Sequence, residues 1–486
     1  MNFGLLLHTV LHLKPTQVLF QIKNRIIKAK YIQISAPIHN ILELKTTPIA
    51  RFQSLNGDEF TFLNLTHKFT DWNFVGKGTL FTYNLNYFDS INAEDFKIEE
   101  ACKWIDKFIK ERSAVTWGMD PYPIALRTIN WMKFFCKNPS CATKEREDSL
   151  WSQLKLLERK LEYHLLGNHL LEDAYALYIG GCYFQNEKLR KKGYKLILKQ
   201  LNEQTLSDGA HYEQSPMYHC ILLDRLLDCI NFGDTDELRN IVQKQLGWLD
   251  AICYKDGSWP MFNDAALGIA PNVSHIFDYA QRLGILWNTV KLGASGYRKL
   301  SDDKIEAIID CGQITATYQP GHTHADSLNY ELKIDGMPIV VDTGISTYDK
   351  TSRRQYERST IAHNCVSANK QNSDEVWGGF RVGKQCKVTV LRDEQNLIEA
   401  YHKSFSKKCI RVFELKNGKF NVEDRYEGHA VSYVHLANGI QPERVKIEGA
   451  TSVEILDTKY SVEYNRFIEN KTIAIHFNGV CRYSIQ

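Results

Sequence analysis

The chain changes its hydrophobic rhythm once, near residue 300. From about residue 95 to 290, apolar positions recur at three- and four-residue steps, the period of helices with one buried face. The stretch EEACKWIDKFIKER puts Trp104, Ile105, Phe108 and Ile109 on one stripe, and Leu150, Leu154, Leu157, Leu161 and Leu165 repeat at the same steps. Further helical windows open near Glu187, Met217, Glu237 and Val273, with short joins containing Gly, Asp or Asn between them. Helix after helix with short joins predicts antiparallel neighbours, and the period is too irregular for a solenoid repeat.

Beyond residue 300 the runs are short and alternate apolar with polar: SLNYELKI, MPIVVDTG, CKVTVLRD, IRVFELKNGKFNVEDRYEG and YSVEYNRFIENKTIAIHFNG. Turns such as KIDGM and KNGK punctuate them, as in antiparallel hairpins. The expected class is α+β multidomain: a mixed N-terminal segment over 1–90, a helical domain over 91–300, and an antiparallel β-sandwich over 301–486.

Composition narrows the partners. With 43% apolar and 24% charged residues the chain is an ordinary globular protein. A net charge of +3 with no long Lys/Arg run gives no support for nucleic acid. Twelve cysteines at irregular spacing, none in a C-x-x-C pair, read as free, mostly buried thiols of a reducing compartment. The start, MNFGLLLHTVLHLKPTQVLF, lacks a basic leader region and a small-residue cleavage site, and is too short and polar to span a bilayer. With the basic QIKNRIIKAKYIQ that follows, it reads as a docked surface helix, the alternative being a helix resting on a membrane face. The expected location is the cytoplasm or a loose membrane association, with the periplasm left open. The sequence does not specify an oligomeric state.

Four polar clusters interrupt the apolar periodicity. In LLGNHLLEDAYAL, Asn168 and His169 follow a helix read as ending at Gly167. In SDGAHYEQSPMYHCILLDRLL, His211, Tyr212, Glu213, Gln214, Ser215, Tyr218 and His219 crowd the mouth of a helix, with Pro216 suited to its first turn. In YQPGHTHADSLNYELKIDGMPIVVDTG, His322 and His324 lie two apart on an extended segment, share a face with Asp326, and precede an isolated Asp342. In YERSTIAHNCVSAN, Arg358, His363 and Asn364 follow Arg353, Arg354 and Tyr356. One histidine of the pair, an aspartate from the next strand and a later histidine offer N, O and N donors, a set that suits zinc.

Taken in order, GNHLLE, DGAHYEQSPMYH, PGHTHADSLNYEL with VVDTG, and YERSTIAHNCV resemble the heparinase II/III-like polysaccharide lyases. Upstream YNLNYFD and YPIALRTINW are similar too, so the resemblance spans about residues 80–380. It implies an incomplete (α/α) toroid of helical hairpins followed by the β-sandwich, and β-elimination on a uronate-containing, acidic polysaccharide. Removing the proton at C5 of a uronate is hard beside a carboxylate, and a donor at the developing enolate lowers that barrier. By the resemblance Asn168 stabilises the carboxylate, His169 assists or orders the loop, and Tyr212 and His322 share the acid and base roles. A tyrosine titrates near pH ~10, so a basic role predicts positive charge beside Tyr212. His324, Asp342 and His363 match the metal set, a structural Zn2+ that pins three segments, and no organic cofactor is implied. Arg127, Asn130, Trp131, Tyr218, Trp259, Tyr356 and Arg358 are the candidate substrate contacts, with Asn263 beside Trp259 in a further cleft loop.

Two departures matter. Secreted degradative members carry a leader and a longer β-region, and neither is evident here. A role in capsule or exopolysaccharide metabolism is therefore as consistent as catabolism. The residue set also leaves open a uronyl C5-epimerase, which returns the C5 proton to the opposite face, and a non-catalytic polysaccharide-binding protein of a surface-polysaccharide assembly system.

Overall fold

The computed structural model describes residues 3–486. Two short helices, α1 (Phe3–Val10) and α2 (Pro15–Ile26), lead through extended chain to a small antiparallel sheet of β1 (Leu55–Asn56), β2 (Glu59–Phe62) and β3 (Leu65–Lys68). Nine helices follow: α3 (Thr79–Leu85), α4 (Ile98–Glu111), α5 (Pro121–Lys137), α6 (Lys144–Lys160), α7 (Gly167–Tyr183), α8 (Glu187–Gln204), α9 (Pro216–Phe232), α10 (Asp236–Ile252) and α11 (Val273–Arg282). Phe60, Trp72, Phe81 and Phe88 from the first ninety residues sit in the same core as these helices.

Burial sorts the helices into two layers. α5, α7 and α9 are buried along nearly their whole length, with α7 packed on both of the others, while α6, α8 and α10 return outside them and are buried only in part. That is an incomplete (α/α) toroid of hairpins. α7 and α8 cross at backbone distance because Gly181 and Gly193 carry no side chain: a Cβ on either would stand 2.3–2.4 Å from the facing main chain. α5 and α9 open on Pro121 and Pro216, and the Ser215 hydroxyl caps α9 by accepting the Tyr218 N–H at 3.2 Å. The leucine repeat predicted one helix through Leu165, but α6 stops at Lys160. Leu161 and Leu166 still enter the core, from a turn held by the Glu162 N–H on Asp173.

After α11 the chain enters a four-stranded antiparallel sheet, β4 (Tyr297–Ser301), β5 (Ile305–Asp310), β6 (Tyr330–Ile334) and β7 (Met337–Val340), in that order. Short elements come next: α12 (Ser352–Glu357), β8 (Val366–Ala368), β9 (Val376–Trp377) and β10 (Arg381–Val382). The second sheet contains β11 (Thr389–Glu394), β12 (Leu397–Phe405), β13 (Lys407–Lys416), β14 (Lys419–His435), β15 (Val445–Glu463) and β16 (Arg466–Ile485). Its spatial order is β11-β12-β13-β14-β16-β15, with β8 paired to β14. Ile305, Ala307, Ile309, Tyr330 and Leu332 of one sheet share a core with Phe413, Val422 and Ile475 of the other. β5 is buried on both faces, because Ile308 turns the other way, into the helical core with Tyr297. All twelve cysteines are free thiols, ten of them buried. Among the described residues no helix is long and apolar enough to cross a membrane.

A buried ion pair lies inside the sandwich. Arg411 on β13 is fully buried and pairs bidentately with Asp424 on β14, at 2.6 and 2.9 Å, while donating to the carbonyls of Leu328 and Asn364 and to Ser432. It ties the site-bearing loops to the sheet. Arg411→Met leaves Asp424 buried without its cation, so the expected cost is about 3–5 kcal/mol, read as a lower denaturant midpoint at unchanged slope.

Candidate active site

The site is assembled around the Asp264 carboxylate. Asp264 is fully buried in the loop between α10 and α11 and accepts His322 Nδ1 at 2.8 Å, His324 Nε2 at 2.8 Å and both terminal nitrogens of Arg354 at 2.5 and 2.8 Å. Burial alone would raise its pKa, but Arg354 and the two imidazoles hold it well below the usual carboxylate range. With Nδ1 committed to Asp264, His322 turns Nε2 toward Glu213 Oε2, 3.7 Å away. Its ring rests on Tyr218 at 3.9 Å, and Tyr348 and Phe380 complete an aromatic wall.

Glu213 joins the helical side to this histidine. Its carboxylate accepts the Asn168 backbone N–H at 2.9 Å and the Asn168 side-chain amide at 2.9 and 3.1 Å. Asn168 lies in the first turn of α7, so Glu213 also places a negative charge at that helix N-terminus. Gly167 makes room for it: its φ is +59° and a Cβ would lie 2.6 Å from Glu213 Oε1. Leu166, Gln214 and Asn263 have left-handed φ of 64°, 58° and 59°, next to the segments carrying Asn168, Tyr212 and Asp264. Such conformations cost about 1–3 kcal/mol each and concentrate at functional sites.

Tyr212 is buried beside Glu213, its hydroxyl 3.0 Å from that of Tyr318, which donates to Glu203. Tyr318 gives its one proton to Glu203, so Tyr212 is the donor in the pair. The positive charge expected beside Tyr212 is not there. Burial first, then Glu213, Tyr318 and Glu203, push its pKa well above 10.0, so the phenol stays protonated. Lys14, just before α2, is spent on Glu203. His169 does not reach Glu213. Its Nδ1 binds Glu162 Oε2 at 3.0 Å and its ring leans on Tyr122 at 4.8 Å. Burial lowers its pKa, but Glu162, with Glu213 and Glu172 behind it, outweighs burial and raises it.

The predicted metal set is only partly assembled. His363 Nδ1 donates to Asp342 Oδ2 at 2.7 Å, and that carboxylate also accepts Asn329 Nδ2 at 2.6 Å and the Gly344 N–H at 2.9 Å. Asp342 thus orients His363 with its own oxygens occupied. Two buried imidazole nitrogens of this set remain without a partner, His324 Nδ1 and His363 Nε2, on rings 5.2 Å apart. Among the described residues no three His, Cys, Asp or Glu side chains converge as a cation cage. The free nitrogens fit a divalent cation; Asp342 in this rotamer fits the carboxylate behind a ligand histidine.

Several predicted contacts lie elsewhere. Arg127, Asn130 and Trp131 are fully buried inside α5: Arg127 donates to Gln153 and the Asn86 carbonyl, Asn130 to Tyr87 O and Asp89, and Trp131 packs edge-on against Phe88 and Phe108. A helix of the inner layer is buried all round, so its polar residues need not face a cleft. Arg358, also fully buried, donates to the Thr323 carbonyl at 2.9 and 3.2 Å and holds the H-x-H loop. Trp259 is buried, and Asn263 bonds Gln214 O and the His324 N–H. Tyr356 is partly exposed with Arg353 over its ring. Only Tyr218 of this group meets the site histidine. His211 and His219 bond Gln204 and Gln245 O beneath the turn, and Asp326, its Oδ2 also without a partner, lines a polar pocket with His324, Asp310 and Asp374.

The toroid joined to a sandwich can be compared with known proteins. Residues 128–282 match the family described as Heparinase II/III N-terminus, and residues 285–479 match Heparinase II/III-like, C-terminal. The chain belongs to the heparinase II/III-like family. It is similar to a heparin-sulfate lyase of Bacteroides stercoris, 22% identical over 371 residues, covering 68% of this chain and 53% of that protein. A heparin-sulfate lyase of Bacteroides thetaiotaomicron is 22% identical over 379 residues, covering 64% and 51%. The chain therefore spans about half the length of the curated relatives it matches. Among solved structures, a heparinase III superposes with TM-score 0.61 at 15% identity, covering 83% of this chain and 76% of that one. A heparan sulfate lyase of Pedobacter heparinus gives 0.55 at 14%, covering 96% and 87%. These likenesses establish the fold.

Asp264→Ala removes the carboxylate that faces the fully buried Arg354 guanidinium. The expected loss is about 3–5 kcal/mol of stability, with Asp264→Asn intermediate, measured by chemical denaturation.

Proposed function

We propose that this protein is a polysaccharide lyase that cleaves a uronate-containing polymer by β-elimination. The observation that carries the reading is that Asn168 from the toroid and His322 from the sandwich side both reach the Glu213 carboxylate, next in sequence to Tyr212. An amide and an imidazole thus meet at one carboxylate, with a phenol on the neighbouring residue. Asn168 meets the substrate carboxylate, neutralising the charge that builds as C5 loses its proton. His322 takes that proton at Nε2, its other nitrogen being held by Asp264. Tyr212, kept protonated by burial and by its acidic neighbours, donates to the departing O4. His169 orders the Glu162 turn. His324 Nδ1 and His363 Nε2 would hold a divalent cation, zinc by their chemistry, with Asp342 behind or beside them; its contribution is rigidity of the loop that carries His322. The names of the curated relatives make heparin-type glycosaminoglycans the first substrates to try, with capsular and exopolysaccharides beside them.

The test follows ultraviolet absorbance of unsaturated uronate on a panel of acidic polysaccharides. Tyr212→Phe is expected to lower kcat by about 10²–10⁴-fold with unchanged melting. A near-wild-type rate removes Tyr212 from the chemistry. Activity falls as pH rises through the pKa of the donor, so the alkaline limb lies above the ordinary tyrosine range. Solvent deuterium entering C5 without chain scission assigns an epimerase instead, and binding with neither signal a non-catalytic protein. Elemental analysis is expected to find bound zinc, lost in His324→Ala together with thermal stability; unchanged melting and no metal in the wild type rule the cation out.

A further inference from the structure

The first two helices are amphipathic the wrong way round. Their polar side chains face the body of the protein. On α1, His8 bonds Glu375 at 2.7 Å, Thr9 bonds Val382 O at 3.2 Å and accepts Trp377 Nε1 at 3.0 Å, and His12 just beyond bonds Gly383 O at 3.0 Å. On α2, buried Gln17 donates to the carbonyls of Leu165 and Tyr318 at 3.1 and 3.2 Å, and Asn24 meets His164 at 3.2 Å. The apolar side chains face out. Phe3, Leu7, Val10 and Leu11 follow the i, i+4, i+7, i+8 spacing of one face, and Val18, Leu19, Ile22 and Ile26 form a second stripe on α2. Phe3, Leu11 and Ile26 are 73–78% exposed. Nine large apolar side chains, counting Ile27, are thus exposed within twenty-five residues. Exposed apolar stripes of this kind mark a docking surface.

Charge selects the partner. No Asp or Glu occurs before Glu43, whereas Lys23, Arg25, Lys28 and Lys30 are exposed beside the apolar stripe. Among the described residues none of these four is in an ion pair; Lys23 only leans over the Phe20 ring. Helices of 8 and 12 residues are too short to span a bilayer, but an apolar stripe flanked by unpaired cations fits the headgroup boundary of an anionic membrane. We infer that α1 and α2 form a peripheral docking face for a membrane surface rich in anionic lipid. This does not rest on the lyase reading and uses none of its residues.

The test is co-sedimentation of the full chain with vesicles of phosphatidylcholine alone and of phosphatidylcholine mixed with phosphatidylglycerol. Expected is binding to the mixed vesicles at least ~10-fold tighter than to the neutral ones, weakening with salt. Leu19→Glu/Ile22→Glu/Ile26→Glu should abolish it. Lys23→Glu/Arg25→Glu/Lys28→Glu should weaken it strongly, since each cation near an anionic surface is worth roughly fivefold. Both variants alter exposed side chains, so the melting temperature should not move; Leu11→Glu, just past the other helix, gives an independent loss. Failure to bind mixed vesicles overturns the inference, as does equal binding to neutral vesicles. So does a dimer in light scattering that the apolar triple variant dissolves without any vesicle binding, which assigns the face to a second copy of the chain.

Discussion

A single buried carboxylate organises this protein. Asp264 enters from the loop between two toroid helices and meets an arginine and two histidines from the sandwich side. One anion in a dry seam is costly, and one dry cation equally so, but a bidentate pair completed by two imidazoles satisfies every oxygen. The same bonds choose which nitrogen of His322 and which of His324 stays free. Fold and site chemistry therefore rest on one group.

The electrostatics of the seam divide the labour. The H-x-H loop is anchored by guanidinium groups, Arg354 through Asp264 and Arg358 through the Thr323 carbonyl. The toroid side carries the negative charge, with Glu213 on the start of α7 and Glu203 behind Tyr318. A phenol in that neighbourhood gives up its proton reluctantly, which suits a donor and not a base. A histidine with one nitrogen fixed and the other turned to the cleft is the complementary group.

Much of this was legible in the chain. The switch of period near residue 300 located the change from helices to sheets, because burial repeats differently on a helix and on a strand. Clusters such as HYEQS and HTH stood out because polar side chains broke apolar rhythm. What stayed hidden was pairing across distance. Asp264 is one acid in FNDA with no partner within reach along the chain, and Glu213 was visible only as one polar residue in a crowd. Asn130 and Trp131 misled for the opposite reason: in an inner helix buried on every side, a polar or aromatic residue carries no information about which way a cleft lies. The stop of α6 at Lys160 had no breaker to announce it, since Leu161 and Leu166 remain core residues after the helix has ended.

Strand β5 carries a last consequence. Ile305, Ala307 and Ile309 belong to the sandwich core while Ile308 belongs to the toroid core, so one six-residue ribbon is interior to both. Severing the polypeptide between α11 and β4 would strip a greasy face from each fragment at once. The halves are thus interdependent in folding, and loss of order in one removes the floor on which the other stands.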